Sequence, residues 1–458
     1  MSNQPPEADV SIDQLYRTNA DHETLVDAFT SGDVPVAVYG LGKMGLPLAS
    51  VYADVTGNVT GVDVDPAVVA SINDGLCHVA NEPDLPALVE TVVESGGLTA
   101  TTDVAAAAAR ASVHVVMVPT LIDENHDPDL SIVTGLASEI APHLDQGDLV
   151  IAESTLPPGT CRSVLGPLLE DESGLETGSF GLAFCPERTS SGRALQDVRG
   201  THPKVVGGID PESTRAAELV YGALTDNTVI PVEDATTAEA VKVFEGLYRD
   251  VNIALANELA RFTDELDIDV REAIRVANTQ PFCDIHDPGP GVGGHCIPYY
   301  PYFILNWLRT DAPLLATARR VNDGMPRFVA DRTLDGIRGL GIHPSDATVL
   351  VLGLTYRAGV EETRASPARG ICTALTASGV TVYAADPMVD ADGFDAQHVT
   401  LDDLAHLDVD AAVLVTDHEE FETIDWAAFD PMRVVDTRDV LDLSGTGHEV
   451  YTIGGHAQ

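Results

Sequence analysis

Lysine is almost missing from this chain of 458 residues. It occurs only at Lys43, Lys204 and Lys242, and Lys+Arg together number 25 against 72 Asp+Glu. The formal net charge is −47 and the sequence pI is near 4.3. A surface this acidic repels nucleic acid and anionic membranes, which sets both aside as partners. The acidic excess is dispersed rather than gathered in one tail. It points to a halophilic adaptation of the whole surface, with self-repulsion screened by salt. Long apolar runs are missing too, since no segment approaches ~18 uninterrupted apolar residues. The cysteines (Cys77, Cys161, Cys185, Cys283, Cys296, Cys372) show no paired spacing, no CxxC and no short disulfide scaffold. The first residues are polar and acidic, with no basic region followed by an apolar stretch. The expectation is a cytoplasmic protein with reduced thiols.

What is present is an apolar fraction of 44%, ordinary for a folded protein, in a chain long enough for more than one domain. Residues 1–34, which include Pro5-Pro6, read as a polar extension with a short helix. From Pro35 apolar strands alternate with helical stretches, the mark of a parallel α/β sheet. Strands are expected at 36–39, 59–62, 113–118, 149–152 and 181–184, with helical periodicity at 130–143. Beyond Asp234 the texture changes. From 236 to 264 the residues Ala240, Val241, Phe244, Leu247, Val251, Ile253 and Leu255 recur at helical spacing, and Gly246 is the one internal glycine. More helix is expected at 270–278 and from Pro313. A second alternating block starts at Thr348, with a strand at 349–354, a helix at 367–378 and a strand at 380–384 before Asp386. The expected fold is α/β: two Rossmann-like parallel-sheet domains, 35–232 and 331–458, joined by a central helical domain, 233–330, with a long connecting helix.

Gly40-Leu41-Gly42-Lys43-Met44-Gly45 directly follows the first strand and opens a helical run. Such glycines permit a tight turn and a close approach to a pyrophosphate at the helix N-terminus. Asp63 lies 18 residues after Gly45, at the end of the second strand. An acid there bonds ribose hydroxyls and repels a 2′-phosphate, favouring NAD over NADP. Leu41 and Met44 belong to the same turn, whereas Lys43 has a solvated side chain as its plain reading. Pro119-Thr120 and Thr155 end the next strands at the same sheet edge. Thr120 is a cofactor contact or a simple strand-end threonine. Thr155 bonds water or the nicotinamide region, or else closes an ST-turn. Glu187, in Cys185-Pro186-Glu187-Arg188, is a general-base candidate whose alternative is a pair with Arg188. Lys242 sits in the long helix, where a lysine near a reacting alcohol stabilises an alkoxide by charge; the scarcity of lysine favours that over an exposed helix lysine. Cys296 lies within Gly289-Pro290-Gly291-Val292-Gly293-Gly294-His295-Cys296-Ile297-Pro298. A thiol among glycines is open to close approach by a ligand, unlike a core cysteine among large apolar side chains. His295 lowers a thiol pKa when protonated, although adjacent loop residues often point apart. Cys283, after Pro281-Phe282, reads as packing. A nicotinamide site together with a nucleophilic thiol implies an alcohol oxidised past the aldehyde, held as a thioester and released as an acid.

These segments, in this order, resemble the UDP-glucose/GDP-mannose dehydrogenase family over nearly the whole chain. The resemblance rests on Gly40–Gly45, Asp63, Pro119-Thr120, the run 154–160, Pro186-Glu187, Lys242, the run 252–258, the run 291–298 and the run 356–367. It implies NAD as cofactor, no metal, and Cys296, Lys242, Thr155 and Glu187 as catalytic residues. It also implies a UDP-sugar held by Glu187, Arg188, Lys242, Gly293, Tyr300, Tyr356, Arg357 and Arg364. Ser366-Pro367 opens a helix whose N-terminus, with Arg357 and Arg364, suits a nucleotide diphosphate. Similar proteins dimerise through the central helices, so a homodimer or higher oligomer is expected. Cys185–Arg188, Thr279–Phe282 and the glycine run resemble the branch that oxidises UDP-N-acetylmannosamine at C6 to the uronate. Two departures stand out: Gly246 where the family usually has asparagine, and Tyr300 where it usually has aspartate. Three alternatives stay open. One is a UDP-glucose or UDP-N-acetylglucosamine 6-dehydrogenase; another is a two-electron enzyme of the β-hydroxyacid type, suggested by Gly40–Gly45 and a helix lysine. The last is a nucleotide-sugar-binding protein with weakened catalysis.

Overall fold

The computed structural model describes residues 12–190 and 192–455 and divides the chain into two compact units, Met1–Phe244 and Glu245–Gln458. Pro5-Pro6 lie outside the described residues. In the first unit the strands are β1 (Val36–Tyr39), β2 (Val59–Val62), β3 (Leu98–Thr101), β4 (Val113–Val116), β5 (Leu121–Ile122), β6 (Pro128–Asp129), β7 (Leu149–Ala152), β8 (Gly181–Phe184), β9 (Lys204–Gly208) and β10 (Val229–Pro231). Eight of them form one sheet in the order β10-β9-β8-β7-β4-β1-β2-β3, while β5 and β6 make a small antiparallel pair. Neighbours in the large sheet run parallel except β8 and β9.

β1, β4, β7 and β8 are buried along their full length. This explains their continuous apolar sequence, because helices cover both faces of such a sheet. Val36, Val38, Val113 and Ile151 pack on one face with Leu46 and Tyr52. Ala37, Tyr39, Val116 and Phe184 pack on the other with Ile140 and Leu165. Residues 12–34 are less of an appendage than their polarity suggests. They supply Leu15, Tyr16, Leu25 and Phe29 to the core, partly through the helix His22–Thr30, and the Tyr16 hydroxyl donates to Asp210.

The second unit contains β11 (Thr348–Leu352), β12 (Thr381–Ala385), β13 (Gln397–His398), β14 (Ala411–Leu414), β15 (Arg433–Asp436) and β16 (Glu449–Thr452). They form one parallel sheet in the order β13-β12-β11-β14-β15-β16. Both sheets therefore reverse direction between their first and fourth main strands, the crevice where open α/β sheets bind ligands. The expected fold class holds.

The long helix runs over Ala235–Ala260 and stops short of the 236–264 expected for it; Thr263–Leu266 is a separate turn. The expected strand at 113–118 ends at Val116. β3, β9 and β10 were not anticipated: β3 is an edge strand of Leu98-Thr99-Ala100-Thr101, and β9 carries Lys204 and two glycines. The second unit's helical part is tied by a buried polar network. Asp250 pairs with Arg319 at 2.5 Å and accepts from Asn322, whose Oδ1 accepts from Asn257 at 3.0 Å.

Candidate active site

In the first unit the carboxyl ends of β1, β4, β7 and β8 gather the predicted residues at one edge. Gly40 takes φ +91, and a Cβ there would lie 2.4 Å from the Met117 carbonyl oxygen. At Gly45 a Cβ would lie 1.8 Å from the Gly40 oxygen. Both positions require glycine for the turn to close. A Cβ at Gly42 would meet nothing within 4 Å, so this glycine faces open space. The helix Gly45–Thr56 follows. Leu41 is buried and its N–H donates to Asp63 Oδ2 at 2.8 Å, while Asp63 Oδ1 accepts from Asp65 N–H at 3.0 Å. Lys43 is exposed. Pro119 is exposed, and Thr120 Oγ1 is buried with no partner among the described residues. An orphaned hydroxyl, an open glycine turn and a half-exposed carboxylate after β2 fit a dinucleotide. Gly40, Gly42, Gly45, Asp63 and Thr120 would hold it.

Thr155 is half-buried in the loop after β7. That loop is held by Glu239 of the long helix, which accepts from the N–H groups of Gly159 and Cys161. One turn further along, Lys242 donates to Glu187, to its carbonyl oxygen and, at 3.2 Å, to Oε2. The helix thus presents Glu239 and Lys242 on one face. Glu187 pairs with Lys242, and the Arg188 guanidinium donates to the Pro203 carbonyl at 2.9 Å. Burial would push the Glu187 carboxyl up, but Lys242 and the donors of Thr189 bring it below the usual range. The Thr189 hydroxyl also lies 2.9 Å from Met44 Sδ, so the glycine turn and the Glu187 loop touch. Behind them lies a buried group the motifs did not reveal: Tyr221 donates to Glu153, and the Lys204 ammonium lies 5.6 Å from the Tyr221 ring centroid. Burial raises the Glu153 carboxyl above its ordinary range.

In the second unit Cys296 is half-buried on the glycine-rich loop. The loop is pinned at several points. Asn257 accepts from Gly289 N–H at 2.9 Å, and Asn252 accepts from His286 N–H at 2.9 Å. Gly294 N–H donates to the Arg364 carbonyl at 2.9 Å, and a Cβ on Gly293 would lie 2.6 Å from Tyr356 Cβ. Only glycine lets the loop lie this flat on Tyr356. His295 faces Glu362 at 3.7 Å, and the neighbouring Cys296 side chain, foremost, raises its imidazole above the ordinary value. Arg364 is exposed and lies 3.4 Å from Glu362 Oε1, while Arg357 is exposed. Ser366 caps the helix Pro367–Ala377 by accepting from Ala368 N–H. Tyr300 is buried against Gly246. Cys283 is part-buried, its Sγ 3.4 Å from Asn278 Oδ1. Glu239 escaped the sequence reading because its partners lie 80 and 78 residues away, while Asn257 and Glu362 fall inside the runs 252–258 and 356–367 without a role of their own there.

Three models of the UDP-glucose/GDP-mannose dehydrogenase family match in succession: the NAD binding domain over residues 34–225, the central domain over 236–324 and the UDP binding domain over 350–443. UDP-N-acetyl-D-mannosamine dehydrogenase of Pyrococcus horikoshii is 36% identical over 424 residues, covering 92% of this chain and 99% of that one. NDP-N-acetyl-D-galactosaminuronic acid dehydrogenase of Ralstonia nicotianae is 37% identical over 413 residues, with coverages of 88% and 95%. The solved structure of UDP-D-ManNAc dehydrogenase from Pyrococcus horikoshii superposes with a TM-score of 0.85 at 35% identity, over 92% of this chain and 99% of that chain.

Proposed function

This chain belongs to the UDP-glucose/GDP-mannose dehydrogenase family and uses NAD, and we propose that it oxidises the C6 alcohol of UDP-N-acetylmannosamine to the uronate. The observation that carries this reading is the half-buried Cys296 thiol on a glycine-rich loop pinned against Tyr356 and Arg364. An ordinary two-electron alcohol dehydrogenase needs no such nucleophile. Relatives that act on 2-acetamido sugars support the branch.

Bound NAD supplies the hydride acceptor for each of two oxidations. The chain's own residues do the rest. Lys242 holds its charge toward the alcohol oxygen, favouring loss of the proton as hydride leaves C6. The Cys296 thiolate adds to the aldehyde carbon, forming a C–S bond and an oxyanion that takes up a proton as the thiohemiacetal. The second hydride leaves that carbon, the hydroxyl proton departs, and a thioester remains on Cys296. Water, held by Thr155 and deprotonated by Glu187, attacks the thioester carbon. The C–S bond breaks, the acid is released and the thiolate returns. Tyr356, Arg357, Arg364 and the N-terminus of the helix Pro367–Ala377 bind the nucleotide diphosphate. Exposed Tyr248, Leu255, Phe262 and Leu266 support a self-association face on the helical part.

The test is the NADH formed per sugar consumed, in several-molar KCl, with UDP-N-acetylglucosamine and UDP-glucose run alongside. Two NADH per UDP-N-acetylmannosamine, with Cys296→Ala forming no acid, is the expected result. One NADH per sugar points to a two-electron dehydrogenase, and none from any sugar to a binding protein. Full acid formation by Cys296→Ala would overturn the assignment of the nucleophile.

A further inference from the structure

Gly246 is buried within the helix Ala235–Ala260, a position where glycine is among the poorest residues for helix stability. Its neighbour explains it. A Cβ built on Gly246 would lie 2.0 Å from Tyr300 Cδ2, 2.9 Å from Cε2 and 3.0 Å from Cγ. The tyrosine ring therefore rests on bare helix backbone, in space that any other side chain at 246 would claim. Tyr300 is 6% exposed and its ring lies 5.9 Å from that of Phe303. Its N–H donates to the Cys296 carbonyl at 3.0 Å, as does that of Tyr299, closing the turn that carries the thiol. The ring is seated at one end of this turn and Cys296 stands at the other.

We propose that Gly246 and Tyr300 are one positioning pair for Cys296: the ring, seated on the bare backbone at 246, fixes the turn that holds the nucleophilic sulfur. The two departures from the family pattern are then one packing solution, in which the tyrosine needs the glycine. The inference rests on Cys296 being the nucleophile.

The test is a double-mutant cycle on the full chain in molar KCl, reading iodoacetamide alkylation of Cys296 by peptide mass spectrometry. Gly246→Ala must push the ring off its seat, and the alkylation rate should change by about tenfold, since small misplacements of a reacting group are costly. Tyr300→Ala should change it comparably. In Gly246→Ala/Tyr300→Ala the alanine at 246 should add less than twofold, because no ring remains to displace. Tyr300→Phe, which keeps the ring, should stay within about twofold of wild type. A Gly246→Ala protein that fails to fold but is restored by Tyr300→Ala supports the pair equally. A Gly246→Ala rate within twofold of wild type overturns the proposal. So does an undiminished effect of alanine at 246 once the ring is gone, a double variant that stays unfolded, or a Tyr300→Phe change as large as that of Tyr300→Ala. Alkylation needs no substrate, so failure of the nucleotide-sugar reading would show in NADH assays and leave this result standing.

Discussion

The two sheets open with nearly the same turn and use it differently. After β1 comes Gly40-Leu41 and after β11 comes Gly353-Leu354, with φ +91 and +89 at the glycines. In each a Cβ would strike backbone at the end of the fourth main strand, Met117 O at 2.4 Å or Thr416 N at 2.5 Å. In each an aspartate after the second strand accepts from the leucine N–H, Asp63 at 2.8 Å and Asp386 at 2.7 Å. There the likeness ends. Asp63 takes two backbone amides and stays half-exposed. Asp386 is buried, taking the N–H groups of Leu354, Thr355 and Met388 and the Thr355 hydroxyl, with His418 at 3.2 Å. Where the first turn continues with the open Gly42, the second places Thr355 and then Tyr356 under the Cys296 loop. One carboxylate stays partly open to solvent and the other is enclosed by the fold.

That contrast breaks most sharply at Asp386. Asp386→Ala strips a buried acceptor from three amides, a hydroxyl and an imidazole, and removing one partner of such a buried group costs about 3–5 kcal/mol. Urea unfolding followed by circular dichroism should show that loss, with KM for NAD unchanged in the fraction that folds. The acid side follows in sign. Burial raises the Asp386 carboxyl, but His418 and the backbone donors outweigh it and hold it below the usual value. Its contribution is therefore full at neutral pH and fades as pH falls from about 4 through the lower folded value. Acid unfolding of Asp386→Ala should lack that component.

Asp63→Ala is the mirror experiment. The carboxylate is half-exposed and accepts only two neutral amides, one of them from exposed Asp65, so the stability loss should stay at about 1–2 kcal/mol. KM for NAD should rise about tenfold, and NADP should be used better relative to NAD once the carboxylate no longer repels a 2′-phosphate. Equal stability losses at Asp63 and Asp386 would erase the distinction.

Much of this was legible from sequence, for reasons visible in particular residues. The strand–turn–helix around Gly40–Gly45 announces itself because only glycine fits its two contacts and Asp63 follows at a fixed spacing. Cys296 stands out because its glycines lie against Tyr356. The rest depends on distance along the chain. Adjacency brings only Arg188 to mind as a partner of Glu187, and the contact with Lys242 spans 55 residues. Gly246 and Tyr300 looked like two separate losses because nothing in one dimension shows a ring lying on a helix. β3 and β9 lack the apolar continuity of central strands, since β3 is an edge strand with two threonines and β9 carries glycines and a buried lysine, while β10 is an edge strand of only three residues that ends on proline. Asp386 itself read as a strand-end acid like Asp63, and only its donors tell them apart.

The smallest expected effect sharpens the comparison from the side of the second turn. The segment after Tyr356 folds back through Tyr356 N–H on the Glu362 carbonyl at 3.0 Å, which brings Glu362 toward His295. The neighbouring Cys296 side chain, before any other cause, raises the His295 imidazole. The protonated ring therefore persists to higher pH than a free histidine and favours a neighbouring thiolate while it does. His295→Asn should slow alkylation of Cys296 several-fold near pH 7 and leave it unchanged near pH 10, where an ordinary thiol ionises unaided. A slowing of the same size at both pH values would make His295 a steric support of the loop. The turn would then serve the thiol through Tyr356 and Arg364 alone, rather than also through charge.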